Sequence, residues 1–375
     1  MKLLKHLELS LKKIINKFIF SERRAIKCTS YKNILSDTEF IKNTFHIDNI
    51  NSIKILLLRQ DRIGDLLIST PFIKYLYQNM PNSQIDILLG RANIGAKSCI
   101  EQYPAKIWCY DKKISNSIKL IRQLRKEKYD IIIDTLEAVS TTSSFIIKYA
   151  NPKIAIGLDK EKSGIYDYIV PLLDRFNTNI TERTANLLMP FGLNINKLDL
   201  SLDYNNDEFA KKKSLIKDCS KFRFGVNLAG SSESRFWGIE NNIKLIEFIK
   251  QKYKEAEIRV FATDKYDEVL SKLKDKFNDI ITDKCSSFDE FAFEVSLCDF
   301  IISPDTSIVH LASAYKIPSV ILYIRKNDMK HQPWYPYKVN FISIETSEDS
   351  IRNIKVEDVS NAVEQLYKLE NFNNS

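Results

Sequence analysis

Nine glycines, four histidines and six cysteines in 375 residues are few, and each shortage closes off a class of function. No G-x-G-x-x-G follows an apolar run, which speaks against a nicotinamide enzyme, and no G-x-x-x-x-G-K-[ST] is present, which speaks against a P-loop nucleotidase. Cys28, Cys99, Cys109, Cys219, Cys285 and Cys298 are scattered without a C-x-x-C pair, so neither a zinc site nor a disulfide framework is expected, and a reducing compartment is. There is no H-E-x-x-H, and no Asp-x-Asp stands where it would hold a nucleotide-bound metal, so no metal requirement is expected. No apolar run is long enough to span a bilayer. Repeats and low-complexity tracts are absent. The net charge of +8 is concentrated at the start, where residues 1–50 hold 10 Lys/Arg against 5 Asp/Glu. The remaining body is close to neutral, without the basic face that bulk nucleic-acid binding needs.

What the chain does have is alternation of strands and helices. The most informative stretch is Ile53 to Pro71, IKILLLRQDRIGDLLISTP. Ile53–Leu58 is a short apolar run of the kind that forms a strand buried on both faces. A polar loop, Arg59 to Gly64, leads into apolar residues at helical spacing: Leu66, Leu67, Ile68, Phe72, Ile73, Leu76 and Tyr77. In an open α/β sheet such a loop lies at the carboxyl end of its strand, where ligands bind. Asp65 stands at the helix start. There a carboxylate serves either as a cap for free N–H groups or as a general base.

Two further strand–loop–helix units follow. Phe222–Leu228 is a strand, and the loop Ala229–Trp237 after it carries Gly230, Ser231 and one strong cation, Arg235. Cys298–Ser303 is a strand, Pro304–Ser307 turns the chain, and Ile308–Ala314 continues as an apolar helix. Asp305, Thr306 and Ser307 offer polar side chains and backbone N–H groups at a helix start, suited either to ordinary capping or to a diphosphate. Asp264 ends another strand, where an acid meets ribose hydroxyls or caps the helix 265–278. His310 lies on an apolar helix, as a structural or a donor-binding residue. Trp237 and Trp334 fit either a cleft wall or a core.

Together these units resemble glycosyltransferase family 9, the ADP-heptose:lipopolysaccharide heptosyltransferases. An R-x-D-x-x-G-D-x-x-x-x-T-P segment is matched by Arg59, Asp61, Gly64, Asp65, Thr70 and Pro71. A Gly-rich loop ending in a cation and an aromatic pair is matched by Gly230, Arg235 and Trp237. A D-T/S-G-x-x-H-L-A segment is matched by Asp305, Thr306, His310, Leu311 and Ala312. The resemblance covers residues 53–345. Two departures stand out. Ser307 occupies the place of a Gly, which predicts a less close approach of phosphate to the backbone. The segment Ile324–Asp328 also lacks the Gly-Pro-Thr that often follows that strand.

The resemblance implies an α/β protein of GT-B architecture, with two doubly wound Rossmann-like domains facing a cleft, acting as an inverting, metal-independent glycosyltransferase. Such an enzyme would move heptose from ADP-heptose to the inner core of lipopolysaccharide without a cofactor. Asp65 would be the general base, with Asp61 supporting. Arg235 would stabilise the leaving diphosphate, with Ser231, Asp264, Asp305, Thr306, Ser307 and His310 around the donor. Arg62 and Arg91 would meet an anionic, lipid-linked glycan acceptor. A surface pairing with Glu233 is the plainer reading of Arg235. The same fold with another nucleotide sugar or surface glycan, or a catalytically silent membrane-attached binding protein, are the alternatives.

Strands are expected near 53–59, 84–89, 106–110, 130–134 and 153–157, then near 222–228, 257–262, 279–282, 299–303 and 318–323. A final helix is expected over 356–369. The expected division is a basic amphipathic extension 1–50, an acceptor domain 51–195, a nucleotide-sugar domain 196–345 and a helical tail 346–375. Within residues 1–24, Leu4, Leu7, Leu11, Ile14, Ile15 and Phe18 share a helical face with lysines largely off it. That pattern suits either an anionic membrane surface or packing on the first domain. The expected location is the cytoplasmic face of the inner membrane.

Overall fold

The computed structural model describes residues 22–204, 221–228, 230, 232–282, 284–329, 331–370 and 372. The chain divides into two compact units, one ending at Leu200 and one beginning at Ser201. In the first unit the elements run β1 (Ile26–Lys27), α1 (Thr38–Phe45), β2 (Lys54–Arg59), α2 (Ile63–Ile68), α3 (Thr70–Asn79), β3 (Gln84–Gly90), β4 (Lys106–Tyr110), α4 (Ile114–Glu127), β5 (Ile131–Asp134), α5 (Thr141–Ala150), β6 (Ile154–Leu158), β7 (Tyr168–Val170) and α6 (Ile180–Ala185). The second runs β8 (Arg223–Asn227), α7 (Ile239–Lys252), β9 (Glu257–Phe261), α8 (Asp267–Lys276), α9 (Phe288–Ser296), β10 (Phe300–Pro304), α10 (Ile308–Tyr315), β11 (Ser319–Ile324), β12 (Phe341–Thr346) and α11 (Val356–Leu369).

Both sheets are parallel throughout, in the orders β1-β7-β6-β5-β2-β3-β4 and β12-β11-β10-β8-β9. Parallel strands need crossover helices, which cover both faces and force the strands to be apolar throughout. Accordingly Ile55, Leu56, Leu57, Leu58, Ile131, Ile132 and Ile133 are all buried, and so are Phe224, Val226, Phe300, Ile301 and Ile302. Counted from β2, the first sheet has the 3-2-1-4-5-6 order of a dinucleotide-binding domain, with β1 added at its edge. Its strand order reverses between β2 and β5. In the second sheet the reversal falls between β8 and β10. Ligands of open α/β sheets bind outside the carboxyl ends of strands at such reversals, and three of the four loops there, those after β2, β8 and β10, are the ones that the sequence singles out.

Several boundaries differ from expectation. Residues 22–50 are no separate extension. β1 pairs in parallel with β7, and Arg23 and Arg24 both bind the fully buried Asp167 carboxylate, at 2.6 and 2.8 Å. The rest of the proposed amphipathic segment, residues 1–21, lies outside the described residues. The division between units falls at 200/201 rather than 195/196. The helical tail is also part of the second unit, because Val359, Ala362, Val363 and Leu366 of α11 are buried in its core beside Phe224 and Val320. β12 completes the sheet edge across the expected 345/346 boundary. The strand expected at 279–282 is reduced to a single bridge between Arg259 and Ile281. Among the described residues, no helix is long and apolar enough to cross a membrane.

Candidate active site

The first unit's site is built on the loop between β2 and α2. Arg59 ends β2 and is 3% exposed. A buried guanidinium needs its donors satisfied. Here Nε donates to the Asp65 carbonyl at 2.7 Å and Nη1 to the Thr135 carbonyl, beyond β5, at 3.3 Å. Two carboxylates flank it, Asp61 at 3.4 Å and Asp65 at 3.7 Å. Asp65 occupies the third position of α2, and its Oδ2 accepts from the Arg62 N–H at 3.2 Å. The capping role open in the sequence is therefore real, and it leaves Oδ1 facing Arg59. Asp61 is pushed up to about 6, first by burial and then by Asp65, against the pull of Arg59. Its Oδ1 is buried without a hydrogen-bond partner.

The loop is braced from neighbouring strands. Asn93, fully buried after β3, donates to the Arg59 carbonyl at 2.7 Å and accepts from the Gly90 N–H at 2.8 Å. Gly90 is glycine for want of room, since a Cβ there would stand 2.4 Å from the Gln60 carbonyl oxygen. Gln60 Nε2 donates to Ser143 Oγ on α5 at 2.9 Å. The Ser69 and Thr70 hydroxyls donate to the Asp65 and Leu67 carbonyls, and Pro71 follows at the start of α3. The Thr-Pro of the motif thus stops one helix and starts the next. Asn93 and Thr135 are the contributors that sequence reading missed. Their one signal is position, each lying just past the carboxyl end of a strand beside β2.

Arg62 is exposed. Arg91, after β3, is exposed as well and pairs with Asp111 after β4 at 2.9 Å. A further cluster lies past β5 and β6. Lys160, nearly buried, reaches Asp134 Oδ2 at 3.1 Å, and the Tyr166 hydroxyl donates to the same oxygen at 2.6 Å. These groups satisfy one another.

In the second unit, Arg235 ends a short turn after β8 and pairs not with Glu233 but with Asp305, at 2.6 Å from Nη2 to Oδ2. Glu233 is taken by Lys265 at 2.8 Å and approached by Arg352 at 3.6 Å. The ion pair joins the β8 loop to the β10 loop across the reversal in strand order. Gly230 lies under it, where a Cβ would be 3.0 Å from Thr306 Cγ2 and 3.1 Å from Arg235 Cδ. Thr306 Oγ1 accepts from Asn227 Nδ2 at 3.3 Å and from the Ile308 N–H at 3.3 Å, so it meets the first N–H of α10 and ties that helix start to β8. Ser307 has φ −58° and ψ −23°, ordinary helical values that ask for no glycine.

The remaining expected residues separate. His310 is 4% exposed, its ring centroid 6.2 Å from that of Trp334. Asp264 is exposed at the end of β9 and does not cap the following helix, which has no side-chain cap. Trp237 is a core residue, its Nε1 donating to the Ile354 carbonyl at 2.9 Å, so it lines no cleft. Ser231 lies outside the described residues.

The family model of glycosyltransferase family 9 (heptosyltransferase) matches residues 117–359, which include Arg235 and the β10 loop. Lipopolysaccharide heptosyltransferase 3 of Escherichia coli K12 is 24% identical over 330 residues, covering 81% of this chain and 95% of that protein. The lipopolysaccharide core heptosyltransferase OpsX of Haemophilus influenzae is 20% identical, covering 75% and 81%. Among solved structures, E. coli heptosyltransferase WaaC with ADP aligns with a TM-score of 0.67 at 16% identity, covering 84% of this chain and 99% of that one. The fold is thus α/β of GT-B type, with two Rossmann-like domains.

Proposed function

Because the chain belongs to glycosyltransferase family 9, we propose that it transfers heptose from ADP-heptose to the inner core of lipopolysaccharide, with inversion and without a metal or cofactor. Asp65 takes the proton from the acceptor hydroxyl. The freed oxygen bonds to the anomeric carbon as the bond from that carbon to the diphosphate breaks, and the electron pair leaves with ADP. Arg235, the Thr306 and Ser307 side chains and the start of α10 stabilise the charge that develops on the diphosphate. Arg62 and Arg91 are the exposed cations that meet the acceptor's anionic groups.

The observation that carries this reading is Arg235 beside Asp305 at the start of α10. A planar guanidinium suits a diphosphate, and a partly exposed ion pair exchanges one anion for another at small cost. The donor and acceptor follow the names of the relatives, among them an E. coli WaaC structure with ADP-2-deoxy-2-fluoro heptose. The test is nucleotide release from a panel of nucleotide sugars, with a lipid-linked core acceptor. ADP release from ADP-heptose that depends on acceptor supports the reading, and release from another sugar alone refutes the donor. In the same reading residues 1–21 of the expected 1–24 segment hold the protein on the cytoplasmic face of the inner membrane, since Arg23 and Arg24 are bound to Asp167. Salt-sensitive sedimentation of the full chain with anionic vesicles supports that attachment, and loss of the first 21 residues, which spares Arg23 and Arg24 on Asp167, without change in it refutes it.

A further inference from the structure

Asp65 has a neighbour that simple base catalysis does not use. Asp61 lies across Arg59 from it, and the guanidinium stands 3.4 Å from one carboxylate and 3.7 Å from the other. Neither distance is that of a tight pair, because Nε gives its short bond to the Asp65 carbonyl and Nη1 is divided between the Thr135 carbonyl at 3.3 Å and Asp61 at 3.4 Å. One cation thus serves two carboxylates. Arg59 and Asp65 are the charged groups that act on Asp61. The polar neighbours that other elements bring to this loop, Asn93, Thr135 and Ser143, are uncharged.

We propose that Asp61 and Asp65 share the proton taken from the acceptor hydroxyl, Asp61 acting as a positioning residue for the base. The inference rests on the reading of Asp65 given above. An isolated aspartate ionises near 4 and is a weak acceptor for a hydroxyl proton at neutral pH. Two carboxylates confined beside one arginine hold a proton more tightly, since their repulsion falls when it binds. The direction found for Asp61, up to about 6 through burial and Asp65, agrees with this. Its buried Oδ1, without a partner in the structure, is free to carry the proton or accept it. The bookkeeping is that of one transfer. The acceptor O–H breaks, the proton passes to Asp65 and is shared with Asp61, and it returns to water after the product leaves.

The test is the pH dependence of turnover in wild type, Asp61→Asn and Asp61→Glu, using ADP-heptose and a lipid-linked core acceptor, with melting of the ligand-free proteins alongside. Wild-type turnover is expected to fall below about pH 6. In Asp61→Asn that limb moves toward the ordinary carboxylate range. Plateau turnover drops roughly tenfold as the base weakens, acceptor KM changes little, and Asp61→Glu recovers part of the loss. A group whose pKa is raised by folding stabilises the fold below its unfolded value and loses that contribution as pH rises through the folded one. The stability of wild type relative to Asp61→Asn therefore declines between about pH 4 and pH 6. An active wild type whose pH profile is unchanged in Asp61→Asn overturns the sharing alone. A wild type inactive with every nucleotide sugar overturns the functional reading and the sharing with it.

Discussion

The two reversals of strand order carry the same kind of loop and treat their charges in opposite ways. In the first unit, the Arg59 and Asp65 side chains are 4% and 12% exposed, with Asp61 at the rim at 23%, and the loop is tied to β3, β5 and α5 by Asn93, Thr135 and Ser143. In the second, the Arg235 and Asp305 side chains pair with each other and are 30% and 26% exposed. A proton acceptor gains from rigid surroundings, because these hold its geometry. A diphosphate site needs cations that are reachable and can change partner. The difference teaches which loop suits the acceptor's proton and which suits the leaving group.

The largest expected effect is at Asp65. Asp65→Asn keeps an acceptor for the Arg62 N–H, so the fold is expected to survive, while loss of a general base lowers turnover by about 10²- to 10⁴-fold. Circular dichroism and steady-state kinetics check both halves. Next comes Arg235. Arg235→Ala is expected to lower turnover on the order of 10²-fold and to weaken donor binding, and Arg235→Lys to recover part, since charge remains without the fork. Near-normal kinetics in both variants would return Arg235 to the role of a surface cation. The smallest effects separate the two loops by rigidity. Gly90→Ala meets the Gln60 carbonyl at 2.4 Å and Gly230→Ala meets side-chain atoms of Thr306 and Arg235 at 3.0 and 3.1 Å. Backbone cannot yield as side chains do, so Gly90→Ala is expected to cost about 1–3 kcal/mol and Gly230→Ala less, as read by denaturant midpoints. Equal costs would remove the contrast.

The architecture is largely legible in the sequence because strands buried on both faces read as apolar runs, as at Ile53–Leu58 and Phe300–Ile302. The strands that escape reading are very short or only half-buried. β1 has two residues, β7 three, and β12 is only half-buried along its length, so none stands out from its surroundings. The motif residues Asp65, Arg235 and Thr306 fall on the loops expected of them. Their partners are another matter. Nothing local says that Arg235 reaches Asp305 rather than Glu233 two residues away, or that Asn93 holds the Arg59 carbonyl. These are pairings between strands distant in sequence and adjacent in the sheet, and strand order decides them. Ser307 carries a similar lesson. The resemblance marks it as a departure, and its backbone is ordinary helix that a serine adopts without strain.

The most direct test of the division between the two loops is ADP affinity, measured by calorimetry on Asp65→Asn and Arg235→Ala side by side. A proton acceptor for the second substrate leaves ADP binding untouched, whereas a diphosphate ligand does not. The account predicts wild-type affinity for Asp65→Asn and at least tenfold weaker binding for Arg235→Ala, on the order of 1.4 kcal/mol or more. Equal weakening in both variants, or none in Arg235→Ala, would contradict it.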